Sequence, residues 1–262
     1  MMEWDPGDYS VNSAAQFASA RELINWLNLK GAESILDIGC GDGKITAQIA
    51  NLVPAGTVTG IDASRPMIEF ALAKFPEASH PNLHFAVMGA QEITFENQFD
   101  IVFSNAALHW VPDHGPVLSG IRRCLKPGGK MNVQMAGKGT LAQLIKAFVA
   151  VLSDPHWRGN FGGFKAPHGF YEPEPYRQWV KDAGLKEIRI ELVPRTMTQK
   201  GREGLIGFLR TTWLSIIDRI PPNEREEFIN RIADEYLKEN PMDASGNVKV
   251  ETMRLEVEAV KP

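Results

Sequence analysis

Apolar positions along the first half of the chain recur in two alternating periods. Residues 34–38, 57–61, 83–88, 99–104 and 129–135 are short apolar runs rich in β-branched side chains, and these predict strands. Between them, 44–53, 65–74 and 114–124 carry apolar groups at helical spacing. Strict alternation of this kind predicts an α/β fold, a mostly parallel sheet with helices on both faces. Upstream, residues 1–12 are polar, and Ser13 to Leu29 show the helical series Phe17, Ala20, Leu23, Ile24 and Leu27. Lys126-Pro127-Gly128-Gly129 reads as a helix stop and a turn that launches the fifth strand.

Beyond Gly139 the alternation loosens. Residues 140–152 read as a helix, 153–175 as a loop rich in Pro, Gly and aromatics, 174–183 as a helix and Lys186 to Val193 as a strand. Two helical segments within 201–240 are split at Pro221-Pro222, and an alternating strand closes the pattern near Val248 to Val260. The expected organisation is an N-terminal helical segment over 1–30, a ligand-binding core over 31–136, an insertion over 137–185, and the last strands over 186–262 with a second insertion at about 197–243. Insertions between late strands are expected over the carboxyl ends of the sheet, where open α/β folds bind ligands, and are read as a helical lid.

The chemistry gathers at the first strand. Ile35-Leu36-Asp37-Ile38 runs into Gly39, Gly41 and Gly43, and a helix starts at Lys44. Glycines suit a turn whose dihedrals a Cβ forbids and a ligand that must approach the backbone at a helix N-terminus. The spacing is not that of the dinucleotide fingerprint, because Lys44 stands where its third glycine belongs. Asp37 beside the turn would repel a phosphate and welcome a cation or an amine. A second acid, Asp62, ends the next strand 19 positions after Gly43, where a carboxylate can accept both hydroxyls of a ribose. The fourth strand empties into Ser104-Asn105-Ala106-Ala107-Leu108-His109-Trp110, which should face a reacting group.

Composition narrows the partners. At 262 residues with 44% hydrophobic content the chain can bury a full α/β core. A net charge of -4 with no basic run gives no footprint for nucleic acid or an anionic membrane. Cys40 and Cys124 are the 2 cysteines, with neither a disulfide framework nor metal-ligand spacing, so no metal is expected. The N-terminal residues lack the basic and apolar regions of a secretion signal, and no apolar run of about 18 residues occurs. A cytoplasmic protein, monomer or homodimer, acting on a small molecule is the expectation.

The pattern Asp37, Gly39, Gly41, Gly43 followed by Asp62 resembles class I S-adenosylmethionine (SAM)-dependent methyltransferases. Trp4-Asp5-Pro6 with Tyr9, Thr59-Gly60-Ile61-Asp62 before Met67-Ile68, and the stretch from Asn105 to His114 are similar to the carboxyl O-methyltransferases of trans-aconitate and juvenile hormone acid. The resemblance implies a Rossmann-like seven-stranded sheet and SAM as cofactor, with S-adenosylhomocysteine as product. It implies cofactor contacts from Tyr9, Asp37, Gly39, Cys40, Gly41, Asp62, Ala63, Met67, Gly89, Ala90, Gln91 and Asn105. It also implies that Gln16 and Trp110 hold an acceptor carboxylate through neutral N–H donors. His109 is read as a base or a pocket wall, although a carboxylate is ionised at neutral pH and needs no base. Gln16 as a polar helix face and Trp110 as core packing remain open readings. Phe161, Phe164, His168, Tyr171, Arg210 and Trp213 are candidates for acceptor contacts, Arg210 either toward a second carboxylate or as a solvated helix charge. One departure stands out: Gly89 occupies the third-strand position where the family commonly has an Asp for the adenine amino group. A phenol, amine or carbon acceptor, or a protein that binds SAM without turnover, are the alternative functions.

Overall fold

The computed structural model describes residues 22–166 and 168–262, and most of the N-terminal segment read as a helix lies outside that range. Within it, residues 22–26 are helical and precede the first strand. The described residues divide into two compact units, 22–138 with 168–193 and 254–262 forming the first, and 139–166 with 194–253 the second.

In chain order the elements are β1 (Ser34–Ile38), α1 (Lys44–Leu52), β2 (Thr57–Asp62), α2 (Arg65–Lys74), β3 (Leu83–Val87), β4 (Phe99–Asn105), α3 (His114–Cys124) and β5 (Leu125–Ala136). These are followed by α4 (Ala142–Val151), α5 (Pro155–Arg158), α6 (Pro173–Asp182), β6 (Lys186–Lys200), α7 (Gly201–Thr212), α8 (Leu214–Ile217), α9 (Arg225–Glu239) and β7 (Asn247–Val260). The strands form one seven-stranded sheet ordered β3-β2-β1-β4-β5-β7-β6. The first five are parallel to their neighbours, and β7 runs antiparallel to β5. From β1 the chain winds outward to β2 and β3 and then returns to place β4 on β1's other side. The order therefore reverses between β1 and β4, which opens a crevice at their carboxyl ends.

The first unit's core lies on both faces of this sheet. Ile35, Leu36 and Ile38 of the central strand are fully buried, as a strand covered on both sides requires. Helix α1 turns Thr46, Ala47, Ile49 and Ala50 inward, and α2 starts at Ser64, whose hydroxyl accepts from the Met67 amide. Helix α6 belongs here as well, burying Tyr176 and Val180 against the cluster of Leu118, Ile121 and Ile190.

Two elements differ from the sequence expectation. Lys126–Gly129 does not precede the fifth strand but interrupts it: Leu125 pairs with Phe99, and the register resumes at Lys130 opposite Ile101. Gly128 sits at φ +78°, the left-handed conformation that such a bulge needs. The bulge is stitched by Lys261, whose amide donates to the Gly129 carbonyl while its own carbonyl accepts from Gly128. The Lys261 ammonium, buried despite its charge, donates to the Leu125 carbonyl at 2.6 Å and to Asn97 Oδ1 at 2.7 Å. Strand β6 also runs seven residues past Val193 to Lys200. Pro194 is compatible with that extension because β6 lies at the sheet edge, where a missing N–H need not break a ladder.

The second unit has its own core: Leu144, Phe148, Trp157, Leu205, Leu209, Trp213, Phe228, Ile232 and Tyr236 pack together. Phe161 stacks on Phe228 with ring centroids 5.8 Å apart. No helix among the described residues is long and apolar enough to cross a membrane.

The crevice requires glycine for steric reasons that can be measured. A Cβ at Gly39, where φ is +76°, would lie 2.2 Å from the Ala107 Cβ. Gly39→Ala should therefore lower stability by about 2–4 kcal/mol through combined dihedral strain and overlap. Ala107→Gly in the same chain should return about half of that loss, since it removes the overlap and leaves the strain; urea titrations of the single and double variants measure both terms.

Candidate functional site

Glycines 39, 41 and 43 all adopt positive φ, at +76°, +54° and +75°. The turn's amides are engaged by the protein itself: Gly39 and Cys40 donate to the Ile61 carbonyl at 2.7 and 3.0 Å, and Gly43 donates to the Cys40 carbonyl at 3.1 Å. The sequence expectation of a backbone left open to a ligand meets, at these amides, hydrogen bonds within the protein and close packing. A Cβ at Gly43 would meet Phe85 at 2.7 Å and Ala71 at 2.9 Å, and one at Gly60 would meet Phe85 at 2.9 Å and Cys40 at 3.0 Å. What the glycines supply is room for the turn to press against Ala107, Ala71 and Phe85.

Asp62, at the tip of β2, is the hinge of the site. Its Oδ2 accepts from the Gly41 amide at 3.0 Å and its Oδ1 from the Ser64 amide at 2.8 Å. A carboxylate has about four lone-pair positions, so two backbone donors fix its orientation and leave capacity for a ligand's hydroxyls. Burial raises its pKa, and the two amides oppose that rise.

Asp37, one strand over, is deeper, with only 2% of its surface exposed. Its Oδ2 accepts from the Thr46 hydroxyl of α1 at 2.7 Å. Burial pushes the carboxyl up to about 7, Thr46 opposes the shift, and the nearby charge of Asp62 adds to it. Two acids at adjacent strand tips, one almost dry, make a place for a cationic group. The third acid of the turn, Asp42, is committed elsewhere, pairing with Lys74 at 3.6 Å and Lys44 at 3.9 Å.

At the end of β3 no side chain issues from Gly89. Glu92, from the 3₁₀ turn Ala90–Glu92, bends back so that its Oε2 accepts from the Gly89 amide at 3.2 Å. A carboxylate therefore lies at this tip although the residue there is glycine, a replacement the sequence reading missed. Gln91 is exposed and donates to the Asp113 carbonyl at 3.1 Å. Met67 is buried at the start of α2, and Ala63 lies exposed between Asp62 and the cap. Cys40 is buried, with its thiol held well above the ordinary range by burial and by the acids around it.

The β4 end is built by a second layer of hydrogen bonds. Ser104 donates from its hydroxyl to the Ile38 carbonyl at 2.8 Å, tying β4 to β1 just before the glycine turn. Asn105 is buried, its Oδ1 accepting from the Gln134 amide at 2.6 Å. Ala106 follows at φ +55°, and the strand turns into the 3₁₀ segment Leu108–Trp110. His114 anchors that segment: its Nε2 lies 3.0 Å from the Leu108 carbonyl and its Nδ1 2.9 Å from the Tyr176 hydroxyl. A carbonyl can only accept, so Nε2 carries the proton and Nδ1 accepts from Tyr176. Neighbouring His109 packs beside Trp110 with ring centroids 5.2 Å apart, and His168 packs against the same indole at 5.0 Å. The His109 Nδ1 is buried without a hydrogen-bond partner, and desolvation lowers its pKa to about 3. An imidazole with so little proton affinity is a poor base, and the pocket-wall reading fits it better.

Trp110 is partly exposed and is therefore not simply core. Tyr9 and Gln16 lie outside the described residues. Of the remaining acceptor candidates, Tyr171 donates from its hydroxyl to the Pro112 carbonyl at 3.0 Å. Phe161, Phe164 and Trp213 belong to the packing of the second unit. Arg210 makes an exposed two-point pair with Glu226 at 2.9 and 2.8 Å, the solvated helix charge rather than a pocket cation. Among the described residues no group of three or more His, Cys, Asp or Glu could hold a metal.

Comparison with known proteins places this geometry in context. Residues 35–129, which hold both acids and the glycine turn, match a methyltransferase domain family. The chain is similar to trans-aconitate 2-methyltransferase of Deinococcus radiodurans, 32% identical over 222 residues that cover 81% of each chain. Among solved structures it shares the fold of the YcgJ protein of Bacillus subtilis, with a TM-score of 0.61 at 18% identity, covering 94% of this chain and 98% of that one. It also shares the fold of the [4+2]-cyclase SpnF, with a TM-score of 0.60 at 18% identity over 95% of this chain and 82% of that one, so the architecture alone does not fix the reaction.

The depressed pKa of His109 ties stability to pH. The unfolded chain takes up this proton near pH 6.5 and the folded chain only near 3, so between those values the unfolded state binds more protons and stability rises with pH. In urea titrations between pH 4.5 and 7.5, wild-type stability should climb more steeply than that of His109→Phe, by about 1.4 kcal/mol per pH unit around pH 4.5–5.5 and by about half that at pH 6.5, with the slopes converging above about pH 7.5.

Proposed function

The chain belongs to the class I SAM-dependent methyltransferases, and we propose that it moves a methyl group from that cofactor to a carboxylate oxygen of a small organic acid. The site suits the cofactor on its own chemistry. Asp62, oriented by two amides, has oxygens to spare for a ribose diol. Asp37 is a buried acid in want of a cation, which the amino-acid ammonium provides. Gly39 and Gly60 allow the turn to pack against Ala107, Phe85 and Cys40 more closely than any side chain would permit. Asn105 and Met67 stand at neighbouring strand and helix ends as further wall, and Gly89 to Gln91, with Glu92 behind them, border the position expected for the adenine. Tyr9 from the N-terminal segment is assigned to the methionine end.

When bound, the cofactor supplies an electrophilic methyl on a sulfonium, displaced in line by the acceptor oxygen. The protein's part is alignment and exclusion of water, which in favourable intramolecular cases is worth about 7–11 kcal/mol. Gln16 and Trp110 orient the acceptor carboxylate as neutral donors, which leaves its nucleophilicity intact.

One observation carries the acceptor class. His109, in the Leu108–Trp110 segment that follows β4, has its Nδ1 buried without a hydrogen-bond partner, and desolvation lowers its pKa to about 3, which makes it a poor base toward a phenol or an ammonium at neutral pH. A carboxylic acid, with a reference pKa of about 4, needs no such help. The Deinococcus relative, named for trans-aconitate, supports the same class. The commitment of Arg210 to Glu226 weighs against that residue as the partner of a second carboxylate.

Labelled SAM offered with mono-, di- and tricarboxylic acids, isoprenoid and fatty acids, and phenols tests the proposal. The product should be a methyl ester, released by mild base, and Gln16→Ala and Trp110→Ala should each lower kcat/KM by about tenfold or more. Base-stable product, or acid methylation undiminished in both variants, refutes the carboxylate clamp. Cofactor affinity should also depend on pH. Asp37 is protonated below about 7 in the free protein and must ionise to face an ammonium. The dissociation constant should therefore weaken by up to about tenfold per pH unit as pH falls below that value, and Asp37→Asn should flatten the profile in calorimetric titrations.

A further inference from the structure

His168 is assigned no role by the comparisons, yet it shares two features with His109. Both rings pack on the indole of Trp110, at 5.0 and 5.2 Å between centroids, so the three side chains form one aromatic wall at the end of β4. In both rings Nδ1 is buried and has no hydrogen-bond partner. The other ring nitrogen, Nε2, is not sealed in this way and hydrogen-bonds to none of the described residues in either case. The pair is held from two directions: His109 extends the Leu108–Trp110 segment anchored by His114, and its carbonyl accepts from the Gly169 amide at 2.9 Å, which fixes His168 beside it. Phe170 closes on His168 edge-on at 4.8 Å.

A dry Nδ1 has a chemical consequence. A protonated imidazole must carry hydrogens on both nitrogens, and a sealed N–H without an acceptor is costly, so each ring stays neutral. A neutral ring can still place its one hydrogen on Nε2 and donate outward. Two such donors flanking an indole present an oxyanion with hydrogen bonds and no counter-charge.

We propose that the Nε2 edges of His109 and His168, spaced by Trp110, form the subsite for the acceptor's carboxylate, with His168 as a specificity-determining residue. This rests on the carboxylate reading given above. The reaction balances without either ring changing protonation: the carboxylate oxygen forms the O–C bond, the S–C bond breaks with its electron pair going to sulfur, and no proton moves.

The test joins kinetics with nitrogen-15 spectra of histidine-labelled protein saturated with S-adenosylhomocysteine. For the acid that turns over fastest, His168→Phe should raise KM about tenfold or more while S-adenosylhomocysteine affinity stays within about twofold, and His168→Gln, which keeps a donor, should recover part of the loss. Adding that acid to the wild-type complex should move both rings' spectra toward the form with hydrogen on Nε2. An unchanged KM in His168→Phe, or rings indifferent to the acid, overturns the subsite while leaving carboxyl methylation in place. If the wild type methylates no acid, the carboxylate reading fails first; titration with trans-aconitate then decides the subsite separately, ring shifts supporting it and their absence ending it.

Discussion

Close approach at the strand tips is the constraint on which this site depends. β1, β2 and β4 end side by side, and the turn that leaves β1 is pressed against Ala107 on one side and Phe85 and Ala71 on the other. No Cβ fits at Gly39 or Gly43 without displacing a neighbour, and the amides of Gly39, Cys40 and Gly41 are already spent on Ile61 and Asp62. The turn acts as a rigid floor whose height is set by side chains from β3, α2 and the segment after β4. Asp62 is oriented by that floor and in turn pins it, so the acid proposed to hold the ribose and the turn's own lock are one group.

Electrostatically the first unit is arranged by withholding water. Asp37 is kept from full ionisation near neutrality because burial outweighs its single hydroxyl donor. His109, His114 and His168 are kept neutral for the same reason. A buried acid and a partly buried one lie at the β1 and β2 tips, and neutral imidazoles lie beyond the β4 tip. Under the proposed function, a donor molecule carrying positive charge and an acceptor carrying negative charge are sorted to different strands before they meet.

Much of this was legible in the sequence because it is written in local patterns. The bounds of α2 and α3 match the periodicity to the residue, and β1 matches its apolar run. Asp37 and Asp62 stand where strand ends should put them, because strand length and the positions of the glycines are read directly from the chain. What escaped depends on distant partners. The closing of β5 around its bulge requires Lys261, 132 residues beyond Gly129, and no window of sequence holds both. Helix α6 reads locally as part of an insertion, yet Tyr176 packs with the first unit and holds His114 from 62 residues away. Glu92 takes the place beside Gly89 through a backward hydrogen bond that residue identity alone does not announce, although an acid three residues after a helix-start position is a recognisable signal. The likeness of His168 to His109 is wholly tertiary.

The position of β7 has a consequence for biosynthesis. The last strand is not added at the sheet's margin; it is inserted between β5 and β6, and its far end supplies the lysine that seals the β5 bulge. A nascent chain can wind β1 to β4 as they emerge, but β5 keeps an open edge until some 120 further residues have been made, and an unpaired apolar edge invites association with other chains. Completion of the sheet is therefore a late, long-range event, and loss of β7 would leave β5, made more than 100 residues earlier, without its partner.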